Sequence, residues 1–158
     1  MDRLWSPWRS QYVTSAGSDD GCIFCDQLDG GDSGVLYRAR SVFVLLNAFP
    51  YNSGHVMVAP LRHVGATKDL EAAESHELMD VTLATVAVIE DALSPHGFNI
   101  GMNLGRIAGT GVPGHLHMHV VPRWGGDTNF MPVVAETKVL PEMLEDTRAK
   151  LRPGFARL

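Results

Sequence analysis

Three histidines alternate with apolar residues in the stretch HLHMHVVPRW, which begins at His115. Residues two apart project from the same face of a β-strand, so His115, His117 and His119 are expected to share one face. A helix would keep only the first and third of them together. The β-branched valines and the proline that follow favour a strand that ends there. We therefore predict a half-buried strand, with imidazoles on one face and an apolar opposite face formed by Leu116, Met118 and Val120.

A glycine-rich loop, GRIAGTGVPG, immediately precedes the histidines and contains Gly105, Gly109, Gly111 and Gly114. Glycines let backbone amides approach a ligand closely and surround an anion. The alternative interpretation is a long connection between strands. Because the loop runs directly into three imidazoles, we expect nucleophilic attack on a phosphorus atom.

The two cysteines of the chain form the motif CIFC at Cys22 and Cys25. A C-x-x-C pair in an intracellular protein binds a metal or carries redox chemistry more often than it forms a structural disulfide. The flanking segments SAGSDDG and DQLDGGDSG are typical of loops, whereas a redox motif opens a helix. Zinc would need two further ligands, which histidines can supply; a free dithiol is the alternative.

Composition sets the limits on the class of protein. The chain has 158 residues, 45% of them hydrophobic and 20% charged, which is ordinary for one globular domain. It has no apolar run of 18 residues, and its N-terminus lacks the apolar core of a signal peptide, so we expect a cytoplasmic protein without a membrane partner. The net charge of −5 argues against a nucleic-acid partner but permits one small anionic ligand.

The remaining pattern predicts an α+β fold. Strands are expected near 35–39, 41–46 and 55–59, and one long helix from about residue 70 to 93, ended by Ser94, Pro95 and Gly97. FNIGMNLG is a further predicted strand, and PEMLEDTRAKL a short helix that starts at Pro141. Because strands flank the helix without β-α-β alternation, the sheet should be antiparallel. The N-terminal Trp5 and Trp8 are either a packing anchor or a subunit contact.

HLHMHVV resembles the motif of the histidine triad superfamily of nucleotide hydrolases and transferases. WSPWR, LLNAFPYNSGHVMVAP, NIGMNLG and VVPRWGGD are similar to further landmarks, in the same order. The chain looks most like the branch of the fragile histidine triad enzymes and the bacterial diadenosine tetraphosphate phosphorylases. The resemblance implies a single domain over 1–158, with an N-terminal segment and zinc loop to about 34, a core over 35–131 and a C-terminal segment over 132–158. It also implies a homodimer.

The resemblance further implies roles for single residues. His117 would attack the α-phosphorus of a nucleotide and carry a covalent nucleotidyl intermediate, with His119 and His55 supporting the phosphate. The residues expected to contact an adenine nucleotide are Asn47, Asn103, Thr110, Gly111 and Trp124. Cys22, Cys25, His63 and His115 match a structural zinc site, closed by four ligands. No organic cofactor is expected.

The substrate and the acceptor stay open at this point. The resemblance indicates dinucleoside polyphosphates, such as diadenosine tetraphosphate or triphosphate, or related adenylyl compounds. The loop AGTGVPGH lacks the glutamine of the fragile histidine triad hydrolases and has the length of the phosphorylase loop, so either water or phosphate can accept the nucleotidyl group. The alternatives are an adenine nucleotide sensor with little or no catalysis, a purine nucleoside phosphoramidase, and a hydrolase that uses the histidines as a catalytic zinc site.

Overall fold

The computed structural model describes residues 21–30, 34–127 and 140–158. Five strands form one sheet in the order β1-β2-β3-β5-β4, with antiparallel neighbours throughout. The strands are β1 (Val35–Arg38), β2 (Val42–Leu46), β3 (Val56–Pro60), β4 (Gly97–Gly101) and β5 (Met118–Arg123). The helices are α1 (Ile23–Asp29), α2 (Ala72–Leu93) and α3 (Leu144–Phe155), and two 3₁₀ turns lie at Thr67–Asp69 and Arg106–Ala108.

The central strands β2 and β3 are buried along their whole length because both faces of the sheet are covered. Side chains alternate between the two faces with a period of two. Val42, Val44 and Leu46 pack with residues of α2 and α3, including Ile89 and Phe155. The intervening side chains belong to a second cluster with Phe24 of α1, made of Phe43, Leu45, Met57 and Ala59. The second face is therefore the one that α1 covers.

Helix α2 has the boundaries that its sequence predicts. At its start the Glu71 N–H donates to the carboxylate of Glu74, 2.9 Å away, and Arg62 forms an ion pair with the same carboxylate. At its end Ser94 adopts the left-handed conformation, with a φ of 47°. The described part of the chain contains no helix long and apolar enough to cross a membrane.

The structure confirms the α+β class and the three predicted N-terminal strands to within two residues at each end. Three predictions of the type or start of an element were wrong. The segment after Cys22 is a helix and not a loop, the histidine strand starts at Met118, and the C-terminal helix starts at Leu144, three residues after Pro141. That helix runs through Pro153, where the missing N–H breaks one hydrogen bond close to the helix end. Trp5 and Trp8 lie outside the described residues.

Candidate active site and Cys/His cluster

The pairing of β3 with β5 brings two buried histidines together. Met57 lies opposite His119 in the register, and His55 directly precedes β3. Nε2 of His55 lies 3.0 Å from Nδ1 of His119, so the two rings share a hydrogen bond. Both side chains are buried. A pair of hydrogen-bonded imidazoles inside a protein can hold or move a proton between fixed positions.

A backbone amide sets the direction of that hydrogen bond. The Tyr51 N–H donates to Nδ1 of His55 over 2.9 Å, which leaves the proton of the neutral His55 ring on Nε2. His55 therefore donates to Nδ1 of His119, and neutral His119 carries its own proton on Nε2. Nε2 of His119 is a buried atom. The arrangement presents an N–H donor in the interior of the site.

His117 has the opposite tautomer. Its Nδ1 lies 2.8 Å from the carbonyl oxygen of His115, which can only accept, so Nδ1 carries the proton and Nε2 keeps a lone pair. Burial lowers the pKa of His117, which keeps the ring neutral near pH 7. Its ring centroid lies 4.9 Å from that of His119. A neutral imidazole with a free Nε2 is a competent nucleophile.

The predicted common face of the three histidines is confirmed by their contacts. The ring of Phe24 stacks on His117 at a centroid distance of 4.8 Å and contacts His115 at 5.0 Å. The histidine face is not solvated, however, since all three imidazoles are buried. The half-buried strand was therefore a wrong prediction: Phe24 of α1 covers His115 and His117, and the ring of Tyr51 lies against His119.

Cys22, Cys25, His63 and His115 form a Cys/His cluster whose ligand atoms all lie within 4.8 Å of one another. Cys22 Sγ lies 3.3 Å from Nδ1 of His115, and Cys25 Sγ lies 3.4 Å from Nδ1 of His63 and 3.7 Å from Nδ1 of His115. Sulfur and nitrogen ligands of one tetrahedral zinc ion lie about 3.6 Å apart, given Zn–S and Zn–N bonds of roughly 2.3 and 2.05 Å. The donor set and its spacing fit such an ion.

The protonation states in the cluster also suit a cation. Nε2 of His115 donates to the carbonyl of Pro60 over 2.8 Å, so its Nδ1 is free to bind a metal. Burial raises the pKa of the Cys25 thiol to about 11, and its hydrogen bond with Cys22 and the negative charge of neighbouring groups add to the increase. A divalent cation between the sulfurs would remove that penalty.

The residues expected to contact a nucleotide differ in exposure, and Asn47 among them lies against a histidine. Asn47 accepts a hydrogen bond from the Phe49 N–H at 2.9 Å, and its Nδ2 lies 3.3 Å from Nδ1 of His55. Thr110 is 5% exposed, and its Oγ1 has no hydrogen-bond partner among the described residues. The other three are half-buried: Asn103, Gly111 and Trp124.

Two aromatic residues that contact the histidines were missed by the sequence analysis. Phe24 stands between the two cysteines and covers His117, and the ring of Tyr51 lies 4.6 Å from His55 and 5.5 Å from His119. Both residues lay within quoted motifs, CIFC and NAFPYNSG, but an aromatic residue in a loop is no specific signal for either role.

Comparison with known proteins shows the family of this chain. The HIT domain family matches residues 31–126. AP-4-A phosphorylase of Mycobacterium tuberculosis is 42% identical over 99% of this chain and 86% of its own length. Bis(5'-nucleosyl)-tetraphosphatase (asymmetrical) of Schizosaccharomyces pombe is 38% identical over 60% of this chain and 52% of its own. A Zn-bound histidine triad family protein from Mycobacterium smegmatis has a TM-score of 0.71 at 25% identity, covering 87% of this chain and 94% of that one.

Proposed function

Because the chain belongs to the HIT domain family, we propose that it is an enzyme that cleaves dinucleoside polyphosphates by nucleotidyl transfer through His117. The observation that carries the proposal is the tautomer of His117, whose Nδ1–H is held by the His115 carbonyl while Nε2 keeps its lone pair. The relatives named as a phosphorylase and a tetraphosphatase support this substrate class.

The proposed reaction has two steps. Nε2 of His117 forms a bond to the α-phosphorus of the substrate, and the bond from that phosphorus to the bridging oxygen breaks, releasing a nucleoside polyphosphate. Water or inorganic phosphate then attacks the same phosphorus, and the electron pair of the P–N bond returns to His117. The buried N–H of His119, oriented by His55, would donate to a phosphoryl or bridging oxygen as charge develops.

The phosphate chain is proposed to lie against the loop before the histidines. Thr110 supports this placement, because a buried hydroxyl without a hydrogen-bond partner in the described residues is available to a ligand oxygen. Asn103, Gly111 and Trp124 are proposed to line the same substrate. For Asn47 we propose a contact with the ribose, while its side-chain oxygen continues to accept the hydrogen bond from the Phe49 N–H.

The Cys/His cluster is proposed to hold a structural zinc ion. Four protein ligands leave no open position for a substrate, so the role of the ion would be structural. It would cross-link α1 to the segment before β5. The zinc-bound relative supports the choice of metal. His115, positioned in this way, offers its carbonyl to His117.

A homodimer and a cytoplasmic location complete the proposal. Strand β4 lies at an edge of the sheet with Ile100 exposed, and α2 exposes Met79 and Leu83; a second copy would cover these apolar side chains. Light scattering of the purified protein tests the dimer. A cytoplasmic location is proposed as well, because the two cysteines form no disulfide with each other, which fits a reducing compartment.

The experiment that tests the reaction is incubation with diadenosine tetraphosphate, with and without inorganic phosphate, followed by anion-exchange chromatography. The 42% identical phosphorylase leads us to expect ATP and ADP only when phosphate is present. ATP and AMP without phosphate would identify water as the acceptor. Tight AMP binding without turnover of this substrate or diadenosine triphosphate would replace the proposal by a sensor function.

A further inference from the structure

Asp127, the last residue of the turn after β5, gathers four hydrogen bonds on one carboxylate. Arg123 donates from Nε at 2.6 Å and from Nη2 at 2.9 Å, the Trp124 N–H donates at 3.1 Å, and Asn52 donates from Nδ2 at 2.7 Å. These donors hold the pKa of Asp127 well below its usual range, and the Arg123 bonds are the largest cause. Bonds to an ionised carboxylate are roughly twice as strong as neutral ones.

The bond to Asn52 reaches across 75 residues to the loop between β2 and β3. Asn52 is 9% exposed, and its Nδ2 also donates to the Pro122 carbonyl at 3.1 Å. The loop is closely packed beside it: a Cβ on Gly54 would lie 2.6 Å from Leu93 Cδ1. The side chain of Asn52 is thus fixed by two acceptors at the end of β5.

The same loop sets the protonation pattern of the active site. The carbonyl of Asn52 accepts the His55 N–H at 3.1 Å, and the preceding residue, Tyr51, donates its N–H to Nδ1 of His55. That second bond fixes the His55 tautomer and hence the donor to His119. A continuous path of hydrogen bonds and one short turn therefore joins Asp127 to His119.

We propose that Asp127 is a positioning residue: acting through Asn52, it holds the turn at Tyr51 so that His55 keeps its proton on Nε2 and donates to His119. The catalytic consequence rests on the proposed nucleotidyl transfer, whereas the tautomer of His55 does not. Asp127 touches none of the reacting groups itself, and its bond to Trp124 is to the backbone N–H and not to the indole ring, so its removal should change the chemical step more than the affinity for nucleotide.

The direct test is a long-range ¹H–¹⁵N spectrum of the histidine rings in wild type and in Asp127→Ala, in folded, metal-loaded protein. Wild type should show His55 as the Nε2–H tautomer, and the variant should show a mixture. An unchanged single tautomer in the variant would overturn the proposal. If Asp127→Ala does not fold, Asp127→Asn serves, since it keeps the volume and removes the charge. This readout stands even if the protein fails to cleave diadenosine tetraphosphate.

The kinetic arm separates positioning from general stability. A small displacement of the supporting histidines should lower kcat about 10- to 100-fold, with KM changed less than about threefold. Glu74→Ala is the matched control, because the Arg62–Glu74 pair has the same 2.6 Å contact and similar exposure, and its hydrogen bonds go to Asp69 and Glu71 and not to His55 or His119. An equal loss of kcat in both variants would contradict the proposal.

A double-variant cycle tests the path through Asn52. If Asp127 acts through that side chain, Asn52→Ala should lower kcat to a similar extent, and the double variant should be no slower than the slower single one. A double variant in which the two losses multiply would show that Asp127 and Asn52 act independently, and the proposal would fail.

Discussion

The two ends of the segment that carries the histidines are held by different chemistry. Before β5, His115 belongs to the Cys/His cluster, whose four ligand atoms converge on one point. At the other end, Arg123, the last residue of β5, and Trp124 are bonded to the carboxylate of Asp127. The first end is proposed to use a cation to hold its thiolates together, whereas the second is held by hydrogen bonds between protein groups. His117 and His119 lie between two anchors that can be removed separately.

His115 and His117 differ in which ring nitrogen keeps the lone pair. His115 donates from Nε2 to the Pro60 carbonyl, which frees its Nδ1 for a metal. His117 donates from Nδ1 to the His115 carbonyl, which frees its Nε2 for attack. Residue type is the same in both cases. The position of one backbone oxygen decides which nitrogen keeps the lone pair.

The largest effect is expected from His117→Asn, which changes the segment between the anchors. Asparagine can still donate to the His115 carbonyl but offers no nucleophilic ring nitrogen. Turnover of diadenosine tetraphosphate should fall by a factor on the order of 10⁴ or more. Calorimetry should show AMP binding retained within a few-fold. A variant with substantial turnover would remove His117 from the proposed mechanism.

Loss of the metal anchor should lower stability before it lowers activity. A structural ion at about 100 times its Kd contributes about 2.7 kcal/mol, which corresponds to a Tm shift of about 5–11 °C in a chain of this size. His63→Ala, or strong chelation of the wild type, should give this shift in a thermal melt. Chelation should lower the Tm of His63→Ala little further.

The exposed His76→Ala on α2 is the control for the metal experiment, and its metal content and Tm should match the wild type. Complete loss of activity on chelation well below the melting transition would contradict a structural ion. That result would indicate a catalytic metal at the histidines.

A smaller effect is expected from Phe24→Leu. The Phe24 side chain stands between the two cysteines in the sequence and stacks on His117. The leucine keeps an apolar side chain between the two cysteines but removes the ring stacked at 4.8 Å. Aromatic pairs of this kind contribute about 0.5–1.5 kcal/mol, so kcat should fall roughly 2- to 12-fold. Phe43→Leu is the control, since the Phe43 ring is equally buried and packs against Phe24, with ring centroids 6.4 Å apart, whereas the ring stacked on His117 is that of Phe24. The kcat of Phe43→Leu should match the wild-type value, although this variant should lose about as much stability as Phe24→Leu.

Local periodicity predicted the parts of this site that depend on neighbouring residues. The alternation of His115, His117 and His119 placed them on one face even though only His119 lies within β5. The family resemblance joined His63 to the cysteines, and the cluster geometry agrees with it.

The contributions of Phe24 and Asp127 were not predictable in this way. Each depends on a contact with a residue more than 70 positions away, and a single sequence does not record which distant segments meet. The helix at Ile23–Asp29 was missed for a related reason. It is short, and its stability comes from burying Phe24 against the sheet and not from its own propensity.

The smallest effect is expected in the pH dependence of the free energy of unfolding, which distinguishes the Asp127 anchor from the metal anchor. The pKa of Asp127 lies below its unfolded value of about 3.9, so its stabilisation is complete above that value and is lost as pH falls through the folded pKa. Because Arg123 is half exposed, we expect the contribution to be only about 1–2 kcal/mol. In urea titrations, the free energy of unfolding of Asp127→Asn should therefore lie below wild type by a constant amount between pH 7 and 5, and the two curves should converge below pH 4. A gap that persists undiminished at the lowest pH would mean that packing, and not the carboxylate charge, anchors this end of the strand.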